Sequence, residues 1–395
     1  MLHFANMARK NTQKESLIAF GFAVFLVLVI DLLTNEIGSG AKHADFRNYM
    51  ELFNEGFGST NLQAPYAYRY LYAFMAKGLS AIVGGNAFLW LARIALASFL
   101  FSLFLIIKEL KGTLLHALVA MVIIGFSFCN VKFLLFDPTR PDALGFLFVA
   151  LAYLAHLRKN FWWLVILTII GLQIREFVII PFLVNAFSRN IKGRLWPKEI
   201  TGWAIVIAAV LLPRMLIDTT ADLQFVTFDA SAPGKFLNRV LLNWKRHINV
   251  LFVLLAYYLP LLMFWAGGAR MSFGGRKREV ILFAAIVLLL TLLGGTDLAR
   301  FMAYSFIPLM VIFSVEDFNP SWLLTLLVIV SVFYFNRIWL SIPFEDKEAY
   351  LDFYGGVSDR VNEKTAYRFF EAILFVGLAL VSRILLKKNP ARGRG

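Results

Sequence analysis

The chain has few of the residues that metal and redox enzymes use. Cys129 is the single cysteine among 395 residues, which excludes an internal disulfide and a cysteine-based zinc site. The five histidines show no HxxxH or HExxH spacing, so a histidine-based metal site is not expected. The sequence has no P-loop, no GxGxxG motif, no EF-hand pattern and no internal repeat. The sequence therefore contains no motif that indicates nucleotide-dependent or zinc-dependent chemistry.

Charged residues are scarce as well. They make up 16% of the chain, hydrophobic residues make up 59%, and the mean hydropathy is +0.70. A soluble domain is usually about 25% charged. Apolar runs such as 17–33 and 87–107 are close to or above the length of roughly 18 residues that a membrane span needs. We predict an all-α polytopic membrane protein, a single domain over residues 1–395, with about 12 spans and additional helices on the outer membrane surface.

The basic residues predict the orientation of these spans. If the N-terminus lies in the cytoplasm, nearly all of the net charge of +14 falls in cytoplasmic segments, as the positive-inside rule requires. This distribution explains the positive charge better than a nucleic-acid partner does. The N-terminus is expected in the cytoplasm as a retained signal anchor. The predicted spans are 17–34, 87–107, 114–135, 143–157, two short spans within 161–188, 201–217, 249–267, one ending before residue 297, one ending before 316, 322–340 and 366–386.

Two regions require a choice. Residues 66–83 are predicted to lie on the outer surface, because Arg69 and Lys77 interrupt the apolar run and its tyrosines suit an interface. Gly84, Gly85 and Asn86 would then form the turn into the next span. Residues 162–187 are long for one helix and short for two, which indicates paired short segments that meet at a charged break.

These choices place many charged residues near the outer ends of spans. A charge at membrane depth costs roughly 2.5–3.5 kcal/mol, so it usually has a function. A shared outer side therefore predicts a polar site there. The candidates are Asp45, Asp137, Arg140, Asp142, Arg175, Glu176, Asp297 and Arg300.

Asp45 has two interpretations. A carboxylate in the first outer loop can deprotonate a hydroxyl nucleophile or bind a divalent cation. Alternatively, Asp45 is the N-cap of an amphipathic helix over 46–54, because aspartate is a favoured cap residue.

The segment around Arg140 also has two interpretations. Asp137 and Asp142 flank it, and Pro141 keeps it irregular. Either this is a tight outer turn in which Asp142 caps the next span, or a carboxylate and a guanidinium lie at the lip of an outer cavity.

Arg175 and Glu176 interrupt an apolar run. They form a buried ion pair that stabilises helix packing, or Arg175 binds a phosphate with its planar guanidinium. Asp297 and Arg300, three residues apart, form a helical salt bridge and cap, or they face a ligand that the preceding glycine pair allows to approach closely.

The order of these features resembles the GT-C superfamily of integral-membrane glycosyltransferases, in particular its protein mannosyltransferase and aminoarabinose transferase branch. The resemblance covers roughly residues 15–190 and is a pattern of spacing and topology. The matching positions are Asp45 after span one, an aromatic surface helix opened by residues 65–70, Arg93 early in span two, the Arg140-Pro141-Asp142 loop, and Arg175 in a later broken span.

The resemblance implies transfer of a sugar, with inversion, from a polyprenyl-phosphate donor to a lipid-linked, glycan or protein acceptor. The active site would face the periplasm or exterior of a bacterial plasma membrane. Asp45 would be the base, and Arg175, Arg140 and Arg69 would bind the donor phosphate. No cofactor is implied with certainty. A divalent metal is left open, because many relatives have paired acids where this chain has Asp45 followed by Phe46.

Two other functions compete with this one. A polysaccharide polymerase or ligase would use the same lipid carriers but depend on outer arginines, without one loop aspartate as base. A lipid or solute transporter would explain many spans with charges, but it predicts repeated halves and charges near mid-membrane.

Overall fold

The computed structural model describes residues 2–35, 44–59, 61–63, 66–189, 197–217, 244–273, 275–293, 298–314, 318–343, 349, 353 and 363–388. Within these ranges the regular structure is helical. The α-helices are α1 Leu2–Leu32, α2 Ala44–Asn54, α3 Tyr70–Val83, α4 Ala87–Glu109, α5 Leu114–Gly125, α6 Lys132–Phe136, α7 Asp142–Leu157, α8 Phe161–Leu172, α9 Ile180–Arg189, α10 Pro197–Leu216, α11 Trp244–Ala266, α12 Lys277–Leu293, α13 Leu298–Met302, α14 Phe306–Phe313, α15 Trp322–Phe335 and α16 Glu363–Lys388.

The apolar helices have the composition of membrane spans, and some of them also have the length. Four segments among the described residues are long and apolar enough to cross a membrane: Gln13–Leu32, Tyr66–Glu109, Pro197–Leu216 and His247–Ala266. Several shorter apolar helices accompany them, including α5, α7, α8 and α15. The all-helical prediction is confirmed for the described residues, and the four segments support the predicted membrane character by length and composition, whereas the number of twelve spans stays a prediction.

Several predicted boundaries agree with the helices. The turn before α4 occurs at Gly84, whose φ of +72° is a conformation that glycine adopts without steric cost. Helix α7 covers the predicted span at 143–157, and α8 and α9 are the two short segments on either side of Arg175. The choice to separate residues 66–83 from the following span is consistent with the turn between α3 and α4.

The third span differs from its prediction. A helix was expected over 114–135, but α5 ends at Gly125 and the chain turns before the short α6. Ser127 and Asn130 lie in this break, and such side chains compete with helical hydrogen bonds. The Phe128 amide donates instead to the Asn336 side chain, at 3.3 Å. The segment 126–131, between α5 and α6, is thus stabilised by Asn336, a residue far along the chain.

Polar contacts link helix ends that the topology places on the same side. On the predicted outer side, the Asn35 amide nitrogen donates to the Ile342 carbonyl and the Ile342 amide donates to the Asn35 side chain, each at 2.8 Å. On the predicted inner side, Arg158 pairs with Glu109 at 3.0 Å. The helix ends thus form two separate polar layers, as alternating spans require.

An apolar core separates these layers. Helix α4 packs against α1, α3, α5 and α7. The Phe99 ring of α4 meets Phe306 of α14 at 4.8 Å and Phe146 of α7 at 5.5 Å between ring centroids. Aromatic pairs of this kind add to the stabilisation from buried area. This core places the start of α7 beside the segments that carry Arg175 and Arg300.

Candidate functional site

Asp142 lies at the centre of the candidate site. It is the first residue of α7, and its side chain is fully buried. The Arg175 Nε atom lies 3.0 Å from one carboxylate oxygen, and the Arg300 Nε atom lies 3.3 Å from the other. The Tyr304 hydroxyl donates to the first oxygen at 3.2 Å. We call Asp142, Arg175, Arg300 and Tyr304 the Asp142 cluster.

Interrupted helices deliver the two arginines to this cluster. Arg175 lies between α8 and the 3₁₀ helix Glu176–Ile179, with extended backbone, and its amide donates to the Gly171 carbonyl at 2.8 Å. Arg300 belongs to α13, which has five residues. Irregular backbone at membrane depth is tolerated where it is buried in protein, and it is a common way to build a site there.

Gly145 allows the cluster to close. A Cβ at this position would lie 2.5 Å from the Tyr304 hydroxyl oxygen and 3.2 Å from the Arg175 Cβ. The first distance is far below van der Waals contact, so any larger residue would move Tyr304 or Arg175. The approach of these two side chains to the first turn of α7 therefore depends on the missing side chain.

Arg175 has hydrogen-bonding capacity to spare. Its side chain is 1% exposed, yet the Nη1 atom has no hydrogen-bond partner among the described residues. Its guanidinium lies 5.7 Å from the centre of the Phe301 ring. Most buried polar atoms in proteins are hydrogen-bonded, so an unused guanidinium donor indicates a place for an acceptor.

Glu176 is not the ion-pair partner of Arg175. Its carboxylate pairs with Arg69 Nε at 3.0 Å, whereas Arg175 pairs with Asp142. The interpretation of residues 175 and 176 as an ion pair with each other is therefore wrong. The reason is that successive side chains of an extended backbone point in opposite directions. Glu176 is 38% exposed, so this second pair forms the more accessible edge of the site.

The segment before α7 forms a turn of its own. The Thr139 hydroxyl donates to Asp137 at 2.7 Å, and Arg140 pairs with the other oxygen of Asp137. Tyr72 of α3 donates to the Pro138 carbonyl. Asp142 makes no capping bond, because α7 has Pro141 at its N-cap position and no side-chain cap. The tight-turn interpretation is confirmed for this segment, and the capping role of Asp142 is not.

The turn and the cluster are neighbours. The Tyr72 hydroxyl is close enough to interact electrostatically with both Asp137 and Asp142. Arg175 is close enough to be repelled by the charge of Arg69 and attracted by that of Glu176. Seven of the predicted site residues therefore belong to one polar region: Arg69, Asp137, Arg140, Asp142, Arg175, Glu176 and Arg300. They comprise four arginines and three acids, which leaves a net positive charge.

Two predicted residues cannot be placed in this region. α2 begins at Ala44 and not at the predicted residue 46, so Asp45 lies inside its first turn and is not the N-cap. The position of the Asp45 side chain lies outside what the structure describes, as does Asp297 with the glycine pair before it. Within the described part of the chain, no three His, Cys, Asp or Glu side chains come close enough together to hold a metal ion.

Sequence reasoning missed Lys132. Its ammonium donates to three backbone carbonyls, those of Leu33, Ile338 and Leu340, at 2.9, 2.5 and 2.6 Å. It thereby joins the end of α1 and the segment after α15 to α6. A lone lysine inside the apolar run 114–136 was a signal that could have identified it. Tyr304 had no comparable signal, because its role depends on Asp142 being its neighbour.

No protein-family model, no curated protein and no solved structure matches this chain. A functional assignment therefore rests on the residues themselves.

Proposed function

We propose that the protein is a membrane glycosyltransferase of the GT-C type. It would take a sugar from a polyprenyl-phosphate donor and transfer it to a lipid-linked, glycan or protein acceptor at the outer face of a bacterial plasma membrane. The observation that carries this proposal is the Asp142 cluster, in which Arg175 keeps an unused donor beside a second guanidinium, from Arg300. The resemblance described above supplies the reaction class.

The first step of the argument concerns the phosphate. A polyprenyl-phosphate donor combines a long apolar tail with an anionic group at the membrane surface. The helical bundle offers apolar surface for the tail. Guanidinium groups bind phosphate oxygens through charge-assisted, often bidentate hydrogen bonds. The surplus of arginines over acids around Asp142 favours an anionic ligand over a cationic one.

The second step concerns access. Arg175 is almost completely buried, whereas the neighbouring Arg69–Glu176 pair is partly exposed. A donor phosphate that approaches from the accessible edge meets this pair first. It would compete with Glu176 for Arg69 and then reach the unused donor of Arg175. When the phosphate replaces Glu176 as the partner of Arg69, every guanidinium stays paired with an anion. This limits the free-energy cost of breaking the Arg69–Glu176 pair.

The third step is the transfer itself. Asp45 would remove the proton of the acceptor hydroxyl. The acceptor oxygen then forms a bond with the anomeric carbon while the bond from that carbon to the phosphate oxygen breaks. The carrier phosphate leaves with the bonding electrons, and the arginines stabilise the negative charge that it gains. Asp142 is less suited to act as base, because both its oxygens already face guanidinium groups.

The test is a transfer assay in proteoliposomes with a panel of labelled polyprenyl-phosphate sugars. We expect label from at least one donor to appear in an acceptor fraction, and liposomes without protein are the blank. If no donor of the panel gives transfer with folded protein, glycosyl transfer from these carriers is refuted.

A polysaccharide polymerase or ligase is the second candidate. The observation that favours it is the concentration of arginines around one buried acid, because such an enzyme would depend on outer arginines. The Asp45→Asn variant separates the two candidates. A transferase with Asp45 as base loses most of its turnover, whereas an arginine-dependent polymerase keeps it.

A further inference from the structure

A second arginine pair lies outside the Asp142 cluster, at the predicted outer end of α15 and α16. Arg337 Nη2 lies 2.6 Å from one oxygen of Glu371, and Arg368 pairs with the other oxygen. Arg368 also donates to the Phe335 carbonyl, and its guanidinium lies 3.9 Å from the centre of the Phe335 ring. We call Arg337, Arg368 and Glu371 the Glu371 cluster.

This cluster has more positive than negative charge. One carboxylate serves two guanidiniums, and both of its oxygens are engaged. The Nε atom of Arg368 is buried without a hydrogen-bond partner among the described residues. A buried donor without an acceptor is uncommon, and a surplus guanidinium charge is best neutralised by a bound anion.

The surroundings indicate where that anion comes from. The Arg337 side chain is 20% exposed, so the cluster opens to the surface. The Arg337 guanidinium lies 4.9 Å from the centre of the Tyr334 ring, and Tyr334 stacks on Trp339. Aromatic and basic side chains of this kind mark the headgroup level of a membrane. The neighbouring exposed aromatic residues are Tyr334, Trp339, Tyr367 and Phe370.

The competing explanation is that Arg337 only ends α15. Its φ of +52° lies in the left-handed region, which is common just after a helix end, and Lys111 and Lys159 adopt it after α4 and α7. The Arg337 guanidinium also donates to the Tyr334 carbonyl at 3.2 Å, as a helix-capping side chain would.

We infer that the Glu371 cluster binds the phosphate group of an anionic lipid headgroup at the outer membrane surface. Arg337, which is partly exposed, contacts the phosphate directly, and the buried Arg368 adds a second positive charge behind it. The site is separate from the Asp142 cluster, and the inference does not depend on the proposed glycosyl transfer.

The same geometry provides a variant pair for the test. Arg337→Gly removes the guanidinium and suits the left-handed backbone, so it should fold. Lys159 is the matched control: it follows α7 as Arg337 follows α15, and its φ is +56°. Lys159→Gly therefore makes the same backbone change and removes one positive charge, but on the predicted inner side.

The measurement is the melting temperature of the purified protein, titrated with phosphatidylglycerol, with phosphatidylcholine or with inorganic phosphate. Phosphatidylglycerol should stabilise the wild-type protein. Arg337→Gly should need at least about ten times more lipid for the same rise, because it loses a charge-assisted contact. Lys159→Gly should respond as the wild type does.

The other outcomes decide against the inference. An equal response of Arg337→Gly and wild type would show that Arg337 is a helix cap only. Equal stabilisation by phosphatidylcholine would remove the selectivity for anionic lipid. Stabilisation by inorganic phosphate alone, lost in Arg337→Gly, would mean that the cluster binds a free anion and no lipid.

Discussion

Replacement of Lys132 by methionine should destabilise the protein strongly. The change keeps an unbranched apolar side chain but removes the ammonium that donates to the carbonyls of Leu33, Ile338 and Leu340. The bond to Ile338 is buried and the other two are partly buried. An unsatisfied buried acceptor costs about 1–3 kcal/mol, so with the two partly buried carbonyls at the low end the total is about 3–5 kcal/mol.

The assay is thermal unfolding of purified protein in detergent, for which we expect a fall of roughly 4–6 °C in a chain of 395 residues. Lys77→Met is the matched control, because Lys77 donates to a single carbonyl, that of Asn54, at 3.0 Å on the exposed surface. It should change stability by less than about 0.5 kcal/mol. If Lys132→Met melts as the Lys77→Met control does, the three carbonyl contacts do not stabilise the outer end of the bundle.

Three further predictions address the base, the packing of the cluster and the orientation. Asp45→Asn should lower transfer roughly 10²–10⁴-fold with an unchanged melting temperature, since asparagine has nearly the same size and shape as aspartate; near wild-type turnover would exclude Asp45 as base. Gly145→Ala should destabilise by about 1–3 kcal/mol through overpacking. Adding Tyr304→Phe removes the atom that the new methyl group meets, so the pair should be less destabilising than the sum of the single changes; strict additivity would contradict the contact. A cysteine at Asn61 should react with an impermeant thiol reagent in intact cells and one at Ser272 should not, relative to the parent protein; the reverse pattern would invert the topology.

The sequence was informative where a local pattern decides the structure. The glycine pair at Gly84 marked a turn because no side chain hinders the required backbone there. The charged residues within 161–188 marked a broken helix because a continuous apolar span seldom contains them. The distribution of positive charge over the loops predicted that Asp142, Arg175 and Arg300 share one side of the membrane, and the structure brings the three side chains together.

The pairings within the site could not be predicted in the same way. Arg175 follows no pattern that would select Asp142 over the adjacent Glu176, since that choice depends on how α7 packs against the break after α8. The three carbonyls around Lys132 come from two distant segments whose ends meet only in the folded bundle. The early end of α5 likewise depends on Asn336, far along the chain.

The affinity of the protein for the donor phosphate tests the central claim most directly. Binding of a polyprenyl phosphate to wild type should be compared with Arg175→Lys and with Arg175→Gln, each checked for folding by its melting temperature. Lysine keeps the charge but loses the planar fork, so affinity should fall about tenfold, and glutamine should lower it further. Arg158→Gln is the control, because Arg158 lies on the predicted inner side, where it pairs with Glu109 at 3.0 Å. Folded Arg175→Gln protein that binds the carrier as tightly as wild type would contradict the account and leave Arg175 with a structural role.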